Sequence, residues 1–201
     1  MLIALVLMAT AMGQSQSPAT ASCQLEAQLS AGVLEAVSLI CPIDVPDASL
    51  LQIRADQIAA RVPTPLVLAE LGSLNQESPV FEHTGSGWQL KDATLLIRGR
   101  AQYPTMEPSL AVNVRCDLAV QLNENGRALS HQAVCEGREH RTEASADTVL
   151  FQPALMDAVQ KSVWYTPLGP DQQCAKMHIW FARQSWRPDW MRDPVPDTPQ
   201  C

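Results

Sequence analysis

Two segments of the chain share a cysteine-bounded pattern, and this doubling is the strongest constraint on its fold. The first runs from Cys23 through Gln-Leu-Glu-Ala-Gln-Leu-Ser and, after a glycine, closes at Cys41. The second runs from Cys116 through Asp-Leu-Ala-Val-Gln-Leu-Asn and, after a glycine, closes at Cys135. Apolar and polar residues alternate in both segments, which is typical of a half-buried strand followed by a hairpin turn.

The glycines decide which residues face each other in these hairpins. A two-residue turn at Asn125-Gly126 places the second pair of cysteines opposite each other, and a three-residue loop centred on Gly32 does the same for the first pair. Facing residues lie about 4.5–5.5 Å apart at Cα, which suits a disulfide. The sequence therefore predicts two disulfide-stapled hairpins from one duplicated unit.

The N-terminal residues resemble an export signal. Residues 1–13 are almost wholly apolar, and no charged side chain precedes Glu26. An apolar run of this length is too short to span a membrane, which needs roughly 20 residues. Ala19-Thr20-Ala21 fits the small-x-small pattern of a signal peptidase site. We therefore predict a signal peptide over 1–21, a periplasmic location and no membrane span in the mature chain.

The cysteine count indicates the redox state of the cysteines, and the net charge limits the classes of partner. An even number of cysteines after an export signal favours disulfides, so Cys174 and Cys201 form the third bridge by elimination. The net charge is −7 and no Lys/Arg cluster occurs. This acidic balance argues against nucleic acid or an anionic membrane as the main partner.

A helix and a third strand are predicted after the first hairpin. Asp47 can cap a helix over 50–62, which Pro63 ends. The turn at 85–87 then leads to a strand over 88–100. The predicted buried face of the helix consists of Leu51, Ala55, Ile58 and Val62.

The second hairpin is followed by the same order of elements. Pro153 suits the first turn of a helix that runs to about Trp164. Alternating apolar residues over 175–182 indicate the last strand. The predicted buried face of the helix consists of Leu155, Ala158, Val159 and Val163.

These elements define an α+β fold class with two tandem small units. The units are 22–101 and 102–185, each a disulfide-stapled antiparallel hairpin with a helix and a third strand. A Pro/Trp-rich tail over 186–201 should be extended rather than packed as an element. Its Trp186 and Trp190 either form a second binding surface or hold the tail against the protein beside the third disulfide.

The order of motifs in the second unit resembles the TonB C-terminal domain family. Tyr103-Pro104, a strand, the Asn-Gly126-Arg turn, a return strand, Phe151-Gln-Pro-Ala and Val163-Trp-Tyr-Thr-Pro167 follow the family order. The match covers about residues 101–184. The first unit resembles the family only faintly, since it lacks Tyr-Pro and a Trp at the end of its helix.

This resemblance implies a non-catalytic protein-binding module of the cell envelope without a cofactor. In the family, the last strand accepts an extended segment of the partner, so an envelope protein or extended peptide is the expected partner here. The implied binding residues are Lys176, His178 and Trp180 on that strand, together with Tyr103 and Pro104. The membrane anchor and proline-rich linker of the family's energy transducers are not expected.

Catalytic and metal sites are not predicted. The four histidines are scattered, and neither a Gly-x-Ser-x-Gly elbow nor a His-Glu-x-x-His helix occurs. His131 should face Val120 across the hairpin as a packed side chain. The cluster Glu136-Gly-Arg-Glu139-His140 is interpreted as a solvated loop rather than a metal site.

Two other functions remain open from the sequence. The units can pack against each other as a structural scaffold or dimer with covered sheet edges, or the chain can be an unrecognised inhibitor or hydrolase. Trp180 can correspondingly cover a neighbouring helix or the tail rather than select a partner.

Overall fold

The computed structural model describes residues 19–105, 111–169, 173–182 and 189–201, and it is a mixed α+β fold. The helices are α1 (Ala48–Ala59), α2 (Leu68–Leu71) and α3 (Gln152–Lys161), with 3₁₀ turns at Val149–Phe151 and Asp189–Met191. The strands are β1 (Thr20–Ser22), β2 (Gln24–Ser30), β3 (Val33–Ile40), β4 (Leu66–Val67), β5 (Gly72–Leu74), β6 (Val80–Thr84), β7 (Gly87–Leu90), β8 (Thr94–Gly99), β9 (Val112–Leu122), β10 (Ala128–Glu139), β11 (Ser145–Ala146), β12 (Val163–Tyr165) and β13 (Gln173–Phe181).

Four small sheets contain these strands, and every pairing among the described strands is antiparallel. Their strand orders are β2-β3-β4, β1-β6-β7, β5-β8-β12 and β11-β10-β9-β13. Within the described part of the chain, no helix has the length and apolar character needed to cross a membrane.

Most of the predicted signal segment and Trp186 lie outside the described residues. The end of the segment is described, because Thr20 and Ala21 belong to β1, which pairs with β6. Ala21 is buried in the core. Cleavage after Ala21 would therefore remove two of the three residues of this strand.

Both predicted hairpin disulfides are confirmed. Cys23 and Cys41 flank the β2–β3 hairpin with their Cα atoms 4.3 Å apart. Cys116 and Cys135 face each other directly in the β9–β10 ladder with their Cα atoms 4.1 Å apart. The alternation of apolar residues therefore determines the register around each pair of cysteines.

The turns differ from the prediction, and a bulge in each hairpin restores the register. The first turn has two residues, Ala31 and Gly32, both in the left-handed region, instead of three. Glu35 is the extra residue that shifts β3 by one position. The second connection runs over 123–127, longer than the predicted two-residue turn at Asn125-Gly126, and Leu129 is the extra residue in β10. In a bulge, two residues of one strand lie opposite one residue of the other strand. The extra residue in each hairpin therefore compensates for the change in turn length.

The first helix buries the face that its periodicity predicts. Leu51, Ala55 and Ile58 of α1 are buried, and so is Val62, which lies beyond the end of the helix. Asp47 occupies the N-cap position of α1, but its side chain makes no capping hydrogen bond. The helical segment ends at Ala59, before Pro63, so the prediction is correct for the buried face and too long at the C-terminus.

The helix predicted from Pro153 to about Trp164 is α3 (Gln152–Lys161), and it is also shorter than predicted. It ends at Lys161, and Ser162 follows with an extended backbone. The hydroxyl of Ser162 donates to the carbonyl of Ala158 at 2.8 Å and accepts from the N–H of Gly99 at 2.8 Å. Val163–Tyr165 therefore leave the helix and form β12, which pairs with β8.

The third strands of the two units are arranged differently. The last strand of the second unit, β13, pairs with β9 and completes the sheet of the second hairpin. In the first half the predicted strand over 88–100 is split into β7 and β8, neither of which joins the first hairpin. The third strand of that hairpin's sheet is β4, which has two residues. Hairpin, helix and third strand thus describe the second unit more closely than the first.

Two hydrophobic clusters meet at β8 and β12. Leu95 packs in the cluster under β9 and β13, whereas Leu96 and Ile97 pack in the cluster under the first hairpin. In β12, Trp164 belongs to the former cluster and Tyr165 to the latter. The sheet β5-β8-β12 therefore joins residues from both sides of the predicted boundary at 101–102.

Candidate functional site

The last strand, β13, forms one edge of the four-stranded sheet. It pairs with β9 on one side, and among the described residues no strand pairs with its other side. Its apolar side chains face α3 and the core, as the alternation predicts. The buried residues of this strand are Ala175, Met177, Ile179 and Phe181.

The outer main-chain groups of β13 belong to its even-numbered residues. The guanidinium of Arg98 donates to the carbonyl oxygen of His178 at 2.6 Å, so this carbonyl is not part of the ladder with β9. In an antiparallel strand the N–H and C=O of one residue point to the same side and alternate along the chain. Lys176, His178 and Trp180 therefore direct their main chain out of the sheet.

A groove of about 810 Å³ borders this edge. Its walls come from α2, from β5 and β8, and from the end of β13. Arg98 and Arg100 are both in the lining, and Arg100 is exposed. The guanidinium carbon of Arg98 lies 5.9 Å from the ring centroid of Trp180, which also lines the groove. The charged side chains among the described lining residues are therefore both basic, although the chain as a whole is acidic.

The side chains of the three predicted binding residues lie together on the sheet face opposite α3, and each contacts another polar group. Lys176 Nζ donates to Gln200 Oε1 at 3.4 Å. His178 Nδ1 lies 2.6 Å from Asp117 Oδ1. Trp180 Nε1 donates to the carbonyl of Met191 at 3.0 Å. Two of these partners belong to the C-terminal tail.

The C-terminal tail, residues 189–201, covers this face of the sheet. Met191 and Val195 are buried, with 1% and 5% of their surface exposed. Cys201 forms the predicted disulfide with Cys174, with the Cα atoms 5.4 Å apart. The tail is thus bound at its last residue and at two apolar positions.

A buried carboxylate holds the main chain of the tail. Asp117 is 4% exposed and extends from β9 towards the tail. Its Oδ2 atom accepts from the N–H of Val195 at 2.6 Å and from Thr198 Oγ1 at 3.2 Å. Together with His178, these donors satisfy a carboxylate whose burial alone would be costly.

A buried guanidinium holds the tail two residues away along β9. Arg115 is 5% exposed and donates to the carbonyl oxygens of Trp190 and Asp193. It also bonds Glu136 at 2.7 Å. The side chains of Arg115 and Asp117 therefore bind both donor and acceptor groups of the tail backbone.

Glu136 links two arginines beneath Trp190. Burial tends to raise the pKa of Glu136, but hydrogen bonds and charges from Arg138 and Arg115 outweigh it and hold this pKa below its usual value. The guanidinium carbons of Arg138 and Arg115 lie 4.7 Å and 5.6 Å from the ring centroid of Trp190. Cation–π contacts thus hold Trp190 against the sheet.

Tyr103 and Pro104 lie away from the groove, in a separate pocket of about 380 Å³ beside α3. Tyr103 Oη donates to the carbonyl of Val112 at 2.6 Å and accepts from its N–H at 3.1 Å. Its ring packs edge-on against Phe151, with centroids 5.4 Å apart. These contacts fasten the start of β9 to the core.

The residues considered for catalysis or metal binding have other neighbours. His131 faces Val120 in the hairpin register, as the sequence predicts. Glu136 is engaged by two arginines, and His140 Nδ1 lies 3.3 Å from Asn113 Nδ2. In the described ranges, no three His, Cys, Asp or Glu side chains are grouped where they could hold a metal ion.

Sequence reasoning missed the two charged residues beneath the tail. Alternation predicts that Arg115 and Asp117 lie on the exposed face of their strand. The prediction of a solvated loop at Glu136 is wrong, because β10 continues to Glu139. One signal in the sequence was available. The strand β9 pairs with the next strand, β10, and with the last strand, β13, so it is central in the sheet. An antiparallel sheet commonly leaves its polar face in water. Here the disulfide from Cys174 to Cys201 holds the end of the tail against the sheet and so indicates that this face is covered.

Comparison with protein-family models, with curated proteins and with solved structures gives no match for this chain. The resemblance to the TonB C-terminal domain family therefore stays a prediction from the motifs.

Proposed function

We propose that this protein is an exported, non-catalytic binding module that accepts an extended segment of another cell-envelope protein as an added strand on β13. The outward main chain of β13 beside an open groove carries the proposal. Unpaired edge strands bind peptides through main-chain hydrogen bonds, and neighbouring pockets select side chains. Three disulfides support an oxidising compartment such as the periplasm.

The charge of the groove indicates the chemistry of the partner. Arg98 and Arg100 line it, and Lys176 is exposed further along the same strand. Three cations in an acidic chain favour a segment with acidic side chains at alternate positions. Arg98 already bonds the His178 carbonyl, so an incoming N–H takes over that acceptor and a carboxylate of the segment takes over the guanidinium.

Proline substitution at an outward-facing residue tests this mode of binding. His178→Pro removes an N–H that points out of the sheet and leaves the ladder with β9 complete, as edge strands tolerate. His178→Ala is the matched control, because it loses the same imidazole and keeps the N–H. Dodecapeptides are first selected from a random phage library on the oxidised wild-type protein, and their affinities for both variants are then measured by fluorescence anisotropy.

Strand addition predicts acidic, alternating peptides whose affinity falls at least about tenfold in His178→Pro relative to His178→Ala, the loss expected from one or two hydrogen bonds. Equal affinity for the two variants contradicts the proposal. A selection that yields no peptide contradicts it as well.

A structural role is the second candidate, and a group of exposed apolar side chains favours it. Ile43 is 94% exposed, and Leu50 and Ile53 on α1 are 60% and 54% exposed. Exposed apolar groups of this kind are common at interfaces between copies. Size-exclusion chromatography with light scattering distinguishes the two functions. A dimer that Ile53→Glu converts to a monomer supports the scaffold, whereas a wild-type monomer excludes self-association through this face.

A further inference from the structure

We propose that the C-terminal tail is a tethered ligand, and that the sheet face beneath it is a second peptide-binding site, opened by reduction of Cys174–Cys201. The partner in trans is an extended, proline-containing peptide with two apolar residues four positions apart. This site is the face of the sheet, and it does not depend on strand addition at the edge of β13.

The tail is held in the manner of a bound peptide. Side chains of the sheet bond its main chain at four residues: the carbonyls of Trp190, Met191 and Asp193 and the N–H of Val195. Between these bonds the tail contributes few buried side chains. Met191 and Val195 are buried, while the intervening residues 192–194 are exposed. The side chains of Trp190 and Thr198 also contact the sheet. Recognition therefore depends on the main chain, on two apolar anchors and on these two side chains, and the exposed residues between the anchors can vary.

The sheet face is built to receive such a ligand. Arg115 and Asp117 are both nearly fully buried, and their partners include the tail backbone. The Nε atom of Arg115 is buried and has no hydrogen-bond partner among the described residues. A buried donor without a partner costs free energy. A ligand that offers an acceptor there gains a hydrogen bond that the tail does not make.

The third disulfide differs from the other two in its accessibility. Cys23 and Cys116 are almost completely buried within their hairpins, whereas Cys201 is exposed and Cys174 half-buried. An external dithiol therefore reaches this bridge first. In the exchange, two electrons and two protons pass from the dithiol to the sulfurs of Cys174 and Cys201, and the dithiol leaves as a disulfide. The last residue of the tail is then released.

A full-length variant with a vacated face tests the site. It combines Cys174→Ser and Cys201→Ser with Met191→Asp and Val195→Asp, which remove the tether and both anchors of the tail. The probe is a fluorescein-labelled synthetic peptide with the sequence of residues 189–200. We expect it to bind the vacated chain at least about tenfold more tightly than the oxidised wild type, in which the tail competes intramolecularly.

Adding Asp117→Ala to the vacated chain should weaken the peptide at least about tenfold, because the acceptor for a buried N–H is lost. Equal binding to the vacated and wild-type chains overturns the proposal, as does absence of binding to a folded vacated chain. If the vacated chain fails to fold, as judged by circular dichroism, the tail is a structural element and the proposal is equally overturned.

Opening of the site by reduction of Cys174–Cys201 is tested on the unmodified chain. After brief treatment with a dithiol, alkylation and peptide mapping should find Cys174 and Cys201 modified before any hairpin cysteine. The labelled peptide should bind this partly reduced protein more tightly than the oxidised one. Earlier modification of any of the four hairpin cysteines, or no gain in binding, contradicts opening of the site by reduction.

Discussion

The two hairpins begin with the same pattern, yet one exposes a face that the other buries. The residues that directly follow the first cysteine of each pair illustrate this: Gln24 is exposed in β2, whereas Asp117 is 4% exposed in β9. The leucine at the end of the pattern lies on the opposite face of each strand and also differs, since Leu29 is 49% exposed and Leu122 is fully buried in the core. Local pattern determines which residues share a face, and the third layer added by the tail determines whether a polar face meets water.

The two leucines give the largest expected difference. Leu122→Ala should lower the free energy of unfolding by about 4 kcal/mol, because it leaves a cavity in a closed core. Leu29→Ala should lower it by about 1 kcal/mol, because half of that side chain already contacts water. Urea denaturation of both variants measures the contrast. Equal losses would show that the two hairpins are equally covered.

Removing either hairpin disulfide should lower the free energy of unfolding by a similar amount. This comparison separates the contribution of loop entropy from that of packing around the bridge. They join cysteines 18 and 19 residues apart. Because loops of similar length constrain the unfolded chain similarly, replacing either pair by alanine should cost about 3 kcal/mol. Urea denaturation of Cys23→Ala/Cys41→Ala and Cys116→Ala/Cys135→Ala provides the test. A difference above about 1 kcal/mol would mean that packing around one bridge dominates.

Asp117 and Gln24, which follow the first cysteine of each hairpin, should give an intermediate difference in the free energy of unfolding. Asp117→Asn keeps the shape of the side chain and removes its charge, so the hydrogen bonds from Val195 and Thr198 weaken. We expect a loss of about 2 kcal/mol in the free energy of unfolding. Gln24→Ala, at the corresponding exposed position, should change it by less than about 0.5 kcal/mol. Thermal denaturation of both variants is decisive, and a neutral Asp117→Asn would argue against a buried, charged carboxylate.

The smallest effect concerns acid sensitivity. The pKa of Glu136 is lower in the folded protein than its ordinary value of 4.5, so its ion pairs stabilise the fold above that pH. This contribution disappears as the pH falls through the folded-state pKa. Glu136→Gln should therefore be less stable than wild type by under about 1 kcal/mol at pH 7, with the difference shrinking below about pH 4. Glu26→Gln on exposed β2 is the control, and a gap that widens in acid would contradict this assignment.

The sequence predicts the elements whose information is local. The register around Cys116 and Cys135 follows from alternation, and the third disulfide follows once both hairpins are assigned. The buried faces of both helices and of β13 follow from their periods. The turns were wrong by one or more residues because bulges at Glu35 and Leu129 compensate for them, and a bulge leaves the alternation near the cysteines unchanged.

What the sequence does not predict depends on contacts between distant segments. Val163–Tyr165 continue the apolar helix pattern, yet they pair with β8, and the hydroxyl of Ser162 bonded to Gly99 marks the change. The burial of Arg115 and Asp117 depends on a tail about 75 residues away in the chain. For the same reason alternation places Lys176 and Trp180 on the outer face of β13 but does not show that both contact the tail.

Amide hydrogen exchange of the oxidised full-length protein tests most directly whether the tail forms a third layer on the sheet. The N–H of Val195 donates to the buried carboxylate of Asp117 at 2.6 Å. We predict that this amide is strongly protected, and that Asp117→Asn accelerates its exchange while amides of the β2–β3 hairpin keep their rates. Exchange of Val195 at the rate of an unstructured peptide in the wild-type protein would contradict the account.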